Sequence, residues 1–215
     1  MPSRNIIKTF IANSYYHLYN RGVEKRTIFT DDQDYKVMLS YLKHYLSPPP
    51  PHPTHQKPNT YQTSNYFQDI ELACFCLMPN HYHFLIKQIP QNGITRFARS
   101  LFTRYTQYFN KRHQRTGSLF GSNYKAALIQ SDEYLLHLSR YIHLNPNSHA
   151  QSLTQAYSSY SDFLGLRHTA WVKPQFILNL FRSSDSTHSH HQTYLQFVQD
   201  HNIDSQRLLG KLTLE

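Results

Sequence analysis

The chain has 215 residues, enough for one sizeable core, which excludes a disordered peptide or a disulfide-stapled miniprotein. Its 22 Lys and Arg against 13 Asp and Glu leave a formal charge of +9, so a polyanion such as nucleic acid is the first partner to consider. No run of about 18 apolar residues occurs. Met1 to Phe10 also lacks the apolar stretch of an export signal, so the expectation is a cytoplasmic protein with no membrane span.

In chain order, Tyr15 to Tyr19 is rich in strand-forming aromatics and stops at the turn-prone Asn20-Arg21-Gly22. Thr30-Asp31-Asp32 then caps a helix whose apolar stripe runs from Tyr35 to Tyr45 and which must end before Pro48 to Pro51. From Pro48 to Asn65 the chain is mostly Pro, His, Thr, Gln and Asn, the composition of an extended insertion loop. Glu71 to Leu77 and His81 to Lys87 read as two strands of a hairpin joined at Met78-Pro79-Asn80. Ile94 to Lys111 carries a helical stripe with basic flanks, and Tyr124 to Ile129 is strand-like. Ser131-Asp132-Glu133 opens a further helix that Pro146 ends near Asn145.

This order predicts an α+β fold, a ferredoxin-like antiparallel sheet with helices packed on one face. Past Ala150 the pattern weakens to a small helical annex carrying Leu164, Trp171, Phe176 and Tyr194. The expected division is a main domain over 1–150, with the insertion at 48–65, and a helical extension over 151–215.

Two features carry chemistry. His81 and His83, one residue apart on a strand, project from one face and can share a metal ion, with Tyr82, Phe84 and Ile86 on the opposite, buried face. Among 15 histidines the pair can equally be a coincidence of composition. Cys74 and Cys76 are spaced too closely for the usual structural zinc motif and read as two buried thiols. The second feature is Tyr141-Ile142-His143-Leu144-Asn145-Pro146, in which Tyr141 and Asn145 share a helix face. A phenol nucleophile beside an amide that helps hold a metal is coherent chemistry, and a core tyrosine before a helix-ending Asn-Pro is the plainer alternative.

Taken together, Met78-Pro79-Asn80-His81-Tyr82-His83 and Tyr141 to Pro146 closely resemble the single-tyrosine HUH transposases, in particular the REP-associated tyrosine transposases. Tyr16 to Gly22, Gly117-Ser118-Leu119-Phe120, Tyr124-Lys125 and the tail from Tyr157 to Trp171 resemble further parts of that family. The resemblance implies that His81 and His83 bind the metal, that Asn145 is a third, helix-borne ligand, and that Tyr141 is the nucleophile. It further implies Mg²⁺ or Mn²⁺ as cofactor and single-stranded DNA with hairpin repeats as substrate, cut through a covalent 5′-phosphotyrosine. A domesticated hairpin-binding protein with little cleavage is the alternative reading, since fold does not guarantee activity. Among the basic residues, Arg21 and Lys125 lie in matching segments and Arg104, Lys111 and Arg112 flank the second helix, so all five are candidate DNA contacts. Related enzymes can place the tyrosine helix of one subunit against the histidines of a homodimer partner, which leaves both a monomer and a homodimer open.

Overall fold

Along Ser14–Arg21 (β1), Tyr16 and Leu18 point to one face and Tyr15, His17 and Tyr19 to the other, so this strand has two distinct chemical sides. The structure, a computed structural model, describes residues 10–49, 64–148, 152–181 and 190–200. Most of the Pro/His-rich insertion and of the Ser183 to His191 linker lies outside the described residues.

Strands β2 (Ile70–Met78), β3 (His81–Gln88) and β4 (Lys125–Leu128) join β1 in the order β2-β3-β1-β4, every neighbouring pair antiparallel. Helix α1 (Asp32–Leu46) connects β1 to β2 and α2 (Gly93–Arg112) connects β3 to β4, which is the ferredoxin-like α+β arrangement. Helix α3 (Asp132–Leu144) follows β4, then the short α4 (Tyr160–Phe163), α5 (Gln175–Asn179) and α6 (His190–Gln199). Local chemistry sets the helix starts. The Asp31 carboxylate accepts the Gln33 and Asp34 N–H groups at the head of α1, and the Ser131 hydroxyl accepts the Tyr134 N–H at the head of α3.

Helices cover both faces of the sheet, where the sequence had suggested one. Met38 and Leu42 of α1 and Phe97, Leu101 and Tyr105 of α2 pack with Leu18, Tyr82 and Phe84. On the other face, Leu138 and Ile142 of α3 pack over Cys74, Cys76, Met78 and Leu85, joined by Phe163, Ile177 and Tyr194 of the C-terminal helices. Burying side chains such as Leu138 and Ile142 stabilises the fold by about 1.5–3 kcal/mol each. The second face is apolar because a register shift between Leu72 and Cys74 changes the alternation of β2. Ile70, Leu72, Phe75 and Leu77 therefore all face α1 and α2, while Cys74, Cys76 and Met78 face α3.

The C-terminal segment also closes the outer edge of β2. Leu77 N–H donates to the Tyr157 carbonyl, Ser159 N–H to Phe75, and Lys173 N–H to Leu72. These bonds occupy backbone groups that an edge strand would otherwise expose.

Candidate active site

Register brings the chemistry-bearing residues together on the α3 face of the sheet. In the β1–β3 pairing Tyr19 stands opposite His83 and Arg21 opposite His81, while Lys125 on β4 stands opposite Tyr19. His81 and His83 have ring centroids 5.0 Å apart, and both are buried. Tyr141 reaches them from α3 in the same chain, its ring centroid 5.5 Å from that of His83 at an interplanar angle of 84°. Asn145, at the end of α3, places Oδ1 3.4 Å from His81 Nε2. The four residues singled out for catalysis and metal binding therefore converge, although about sixty positions separate the histidines from Tyr141 in the chain.

Hydrogen-bond partners surround both imidazoles, and their chemistry bears on where the ring protons sit. Asn80 Nδ2 donates to the Lys25 carbonyl, which leaves Asn80 Oδ1 to accept the Nδ1 proton of His81 at 2.6 Å. With that proton on Nδ1, His81 Nε2 presents a lone pair. Asn145 Nδ2 donates to the Tyr141 carbonyl at 3.0 Å, so Asn145 Oδ1 is also an acceptor.

His83 has the same character. Its Nδ1 lies 2.8 Å from His17 Nε2, and its own Nε2 is buried with no hydrogen-bond partner among the described residues. Burial, then the neighbouring His17, His81 and Arg21, hold the His83 pKa well below the usual imidazole range, so the ring is neutral near pH 7. Two Nε2 lone pairs and one amide oxygen are the donor set a divalent cation takes, with open positions left for a phosphate. Among the described residues no group of three or more His, Cys, Asp or Glu is placed to hold a metal.

His17 is a neighbour of the site to which the sequence assigned no role. Besides its contact with His83, its ring stacks on Tyr19 at 4.5 Å and meets Tyr141 edge-on at 6.4 Å. The signal was present as strand parity, since His17 lies two residues from Tyr19, but the β1–β3 register that puts it beside His83 is a tertiary fact.

His143, inside the tyrosine motif, points away from the site into the second core. Its Nε2 accepts from the Ser159 hydroxyl at 2.8 Å, with the Cys74 thiol 3.2 Å away, and its Nδ1 donates to the Tyr194 hydroxyl at 2.7 Å. Tyr194 in turn donates to Ser139. Burial, followed by the Arg167 charge, lowers the His143 pKa to about 3, so this is a neutral structural ring that fastens α3 to the C-terminal helices. Both cysteines are free and buried, with thiol pKa values pushed up mainly by burial, in keeping with inert core residues.

The five basic residues expected to contact DNA fall into two groups. Arg21 and Lys125 lie on the same sheet face as the histidines. Arg21 Nε is buried without a hydrogen-bond partner among the described residues, and Lys125 Nζ sits 5.7 Å from the centre of the Tyr19 ring. Arg104, Lys111 and Arg112 belong to α2, across the sheet from Tyr141. The Arg104 guanidinium lies over the Tyr41 ring at 4.3 Å, Lys111 is exposed, and Arg112 is paired with both Asp31 and Asp34 at 2.6 Å.

The ferredoxin-like sheet thus carries two imidazoles on one face, where an amide oxygen and a phenol from α3 meet them. Residues 59–145, the segment that holds His81, His83, Tyr141 and Asn145, match the family model "Transposase IS200 like". Among solved structures, the fold is similar to a REP-associated tyrosine transposase bound to a REP hairpin, with a TM-score of 0.53. That alignment covers 80% of this chain and 98% of the other at 11% identity, so the likeness is one of fold. A transposase-like protein from Deinococcus radiodurans R1 aligns over 67% of this chain and 97% of its own, at 17% identity and a TM-score of 0.39. No curated protein matches the chain.

Proposed function

We propose that this chain is a metal-dependent single-stranded DNA endonuclease and strand transferase, cutting beside hairpin repeats through a covalent 5′-phosphotyrosine intermediate. The observation that carries the reading is the meeting of Tyr141 with His83 at 5.5 Å beside the His81 and Asn145 acceptors. The match of residues 59–145 to a transposase family model supports it, as does the shared fold with a protein described as bound to a REP hairpin. In this reading the catalytic domain lies within 1–150, and the C-terminal helices α4, α5 and α6 back α3 through Phe163, Ile177 and Tyr194. Among the described residues no helix is long and apolar enough to cross a membrane.

In the forward step the Tyr141 phenol oxygen bonds to phosphorus of a DNA phosphodiester and the bond from phosphorus to the 3′-oxygen breaks. The phenolic proton is lost, and the departing 3′-oxygen leaves as a hydroxyl. The 5′-phosphate stays on Tyr141 until another 3′-hydroxyl attacks, forms the new phosphodiester and returns the tyrosine. A phenol with an ordinary pKa of about 10 is a weak nucleophile at neutral pH, so the step needs positive charge near the reacting oxygens. His81, His83 and Asn145 would hold Mg²⁺ or Mn²⁺, which when bound polarises the phosphate and stabilises the charge that develops on it. Arg21 and Lys125 add phosphate-binding charge on the same face. The α2 residues Arg104, Lys111 and Arg112 would contact DNA only where it wraps to the opposite side. Tyr141 meets the histidines of its own chain, which supports a nucleophile that acts within one subunit, whether monomer or homodimer.

The test is incubation of labelled hairpin-bearing single-stranded DNA with Mg²⁺ or Mn²⁺, followed by a search for a denaturant-resistant adduct. Wild-type protein should form it, and Tyr141→Phe should not, while binding the same DNA. Hairpin binding by wild type with no adduct under either metal would leave a binding protein and refute the enzymatic reading.

A further inference from the structure

We propose that His17 and Asn80 are positioning residues, each accepting the Nδ1 proton of one of the paired histidines so that both Nε2 lone pairs face the same cation position. The inference rests on the metal reading above and adds what makes the two rings ligands rather than hydrogen-bond donors. A free imidazole can carry its proton on either nitrogen, and only the nitrogen without it can bind a cation.

For His81 the orientation is set by a relay that starts in the backbone. Glu24 and Lys25 hold left-handed φ values of 55° and 60°, uncommon for residues other than glycine. The turn they form presents the Lys25 carbonyl to Asn80 Nδ2. That contact fixes the amide, so Oδ1 is the atom 2.6 Å from His81 Nδ1. Gly22 makes this approach feasible: its N–H donates to the Asn80 carbonyl, and a Cβ there would sit 2.2 Å from the Arg26 carbonyl oxygen.

For His83 the partner is His17 Nε2 at 2.8 Å. Were the proton to lie on His17 instead, His83 would carry a buried N–H at Nε2 with nothing to accept it, since that atom has no hydrogen-bond partner among the described residues. A buried donor left unmet is the costlier arrangement. Proton on Nδ1 and lone pair on Nε2 therefore suits both rings. Outer hydrogen bonds of this kind fix the tautomer of metal-binding histidines, and their loss lowers metal affinity by about 10- to 100-fold.

The experiment reads the apo protein first and the metal second. Ring ¹⁵N NMR of the full chain should show His81 and His83 protonated at Nδ1. His17→Phe, which keeps a ring against Tyr19, should shift His83 toward the Nε2-protonated form and raise the Kd for Mn²⁺ about 10- to 100-fold. Asn80→Leu should do the same through His81. Asn80→Asp keeps the acceptor oxygen while losing the bond to Lys25, so tautomer and Kd should stay near wild type. Hairpin binding in EDTA should be unchanged in all three. Unchanged tautomers in His17→Phe and Asn80→Leu would overturn the proposal, as would Asn80→Asp failing like Asn80→Leu, which would mark a merely structural role. If His17→Phe does not fold, the Asn80 pair decides by the same criteria. Wild-type protein that shows the stated tautomers but binds no Mn²⁺ would refute the metal reading while leaving the orientation in place.

Discussion

Nε2 of His81 and Oδ1 of Asn145 stand 3.4 Å apart, with Asn80 Oδ1 2.6 Å from the other His81 ring nitrogen and the Asn145 amide oriented by its N–H bond to the Tyr141 carbonyl. An imidazole nitrogen and an amide oxygen this close can serve together as ligands to one divalent cation.

Asn145→Ala should therefore weaken Mn²⁺ binding by about tenfold, roughly 1.4 kcal/mol, while leaving hairpin binding in EDTA intact. Asn145→Asp, which keeps an oxygen and adds a negative charge, should bind Mn²⁺ more tightly than Asn145→Ala. Calorimetric titration of Mn²⁺ into the apo protein checks both.

The two groups of basic residues should separate in DNA binding. Arg21→Ala or Lys125→Ala should weaken hairpin binding and reduce the slope of log K against log salt by about 0.7–0.9 for each phosphate that is no longer neutralised. Arg112→Ala should instead lower stability with little change in that slope, because its guanidinium is already engaged by Asp31 and Asp34. Fluorescence anisotropy across a salt series distinguishes them.

Asp34 gives a pH dependence. Burial raises its pKa, but the Thr30 N–H, Arg112, the Tyr108 hydroxyl and His113 outweigh burial and leave it lowered; Asp31 is lowered to about 2, chiefly by its hydrogen bond to Arg112. A depressed folded-state pKa means that the stabilisation is fully present above the usual carboxylate value of about 4 and is lost as pH falls toward 2. Asp34→Asn should destabilise the protein by about 3 kcal/mol at pH 7, as removal of one partner from a buried ion pair does. The gap to wild type should narrow below about pH 4. Urea denaturation at several pH values measures it.

His143→Phe should lower stability by about 2–3 kcal/mol, since the Ser159 and Tyr194 hydroxyls would lose their shared partner in the core. Tyr194→Phe should cost less, because it removes a single hydroxyl. Denaturant midpoints give the comparison, and loss of protease protection over 190–200 in His143→Phe would show that the C-terminal helix has come away.

Local composition and spacing alone determined much of this protein. The Asp31 and Ser131 caps, the period-two alternation of Tyr82, Phe84 and Ile86, the helical stripe of α2 and the turn at Pro79-Asn80 all depend on residues within a few positions of one another. The candidate site residues His81, His83, Tyr141 and Asn145 were picked out by resemblance to a family, because spacing alone left a chance histidine pair and a core tyrosine open. Tertiary structure alone decided the rest. A one-residue shift near Ala73 made the second sheet face apolar and brought α3 and the C-terminal helices onto it. The pairing of β1 with β3 made His17 the neighbour of His83, and ion pairing with α1 turned Arg112 from a free basic residue into part of the fold. Register and long-range pairing depend on which surfaces meet after the chain has folded, and no short-range pattern in the sequence encodes that meeting.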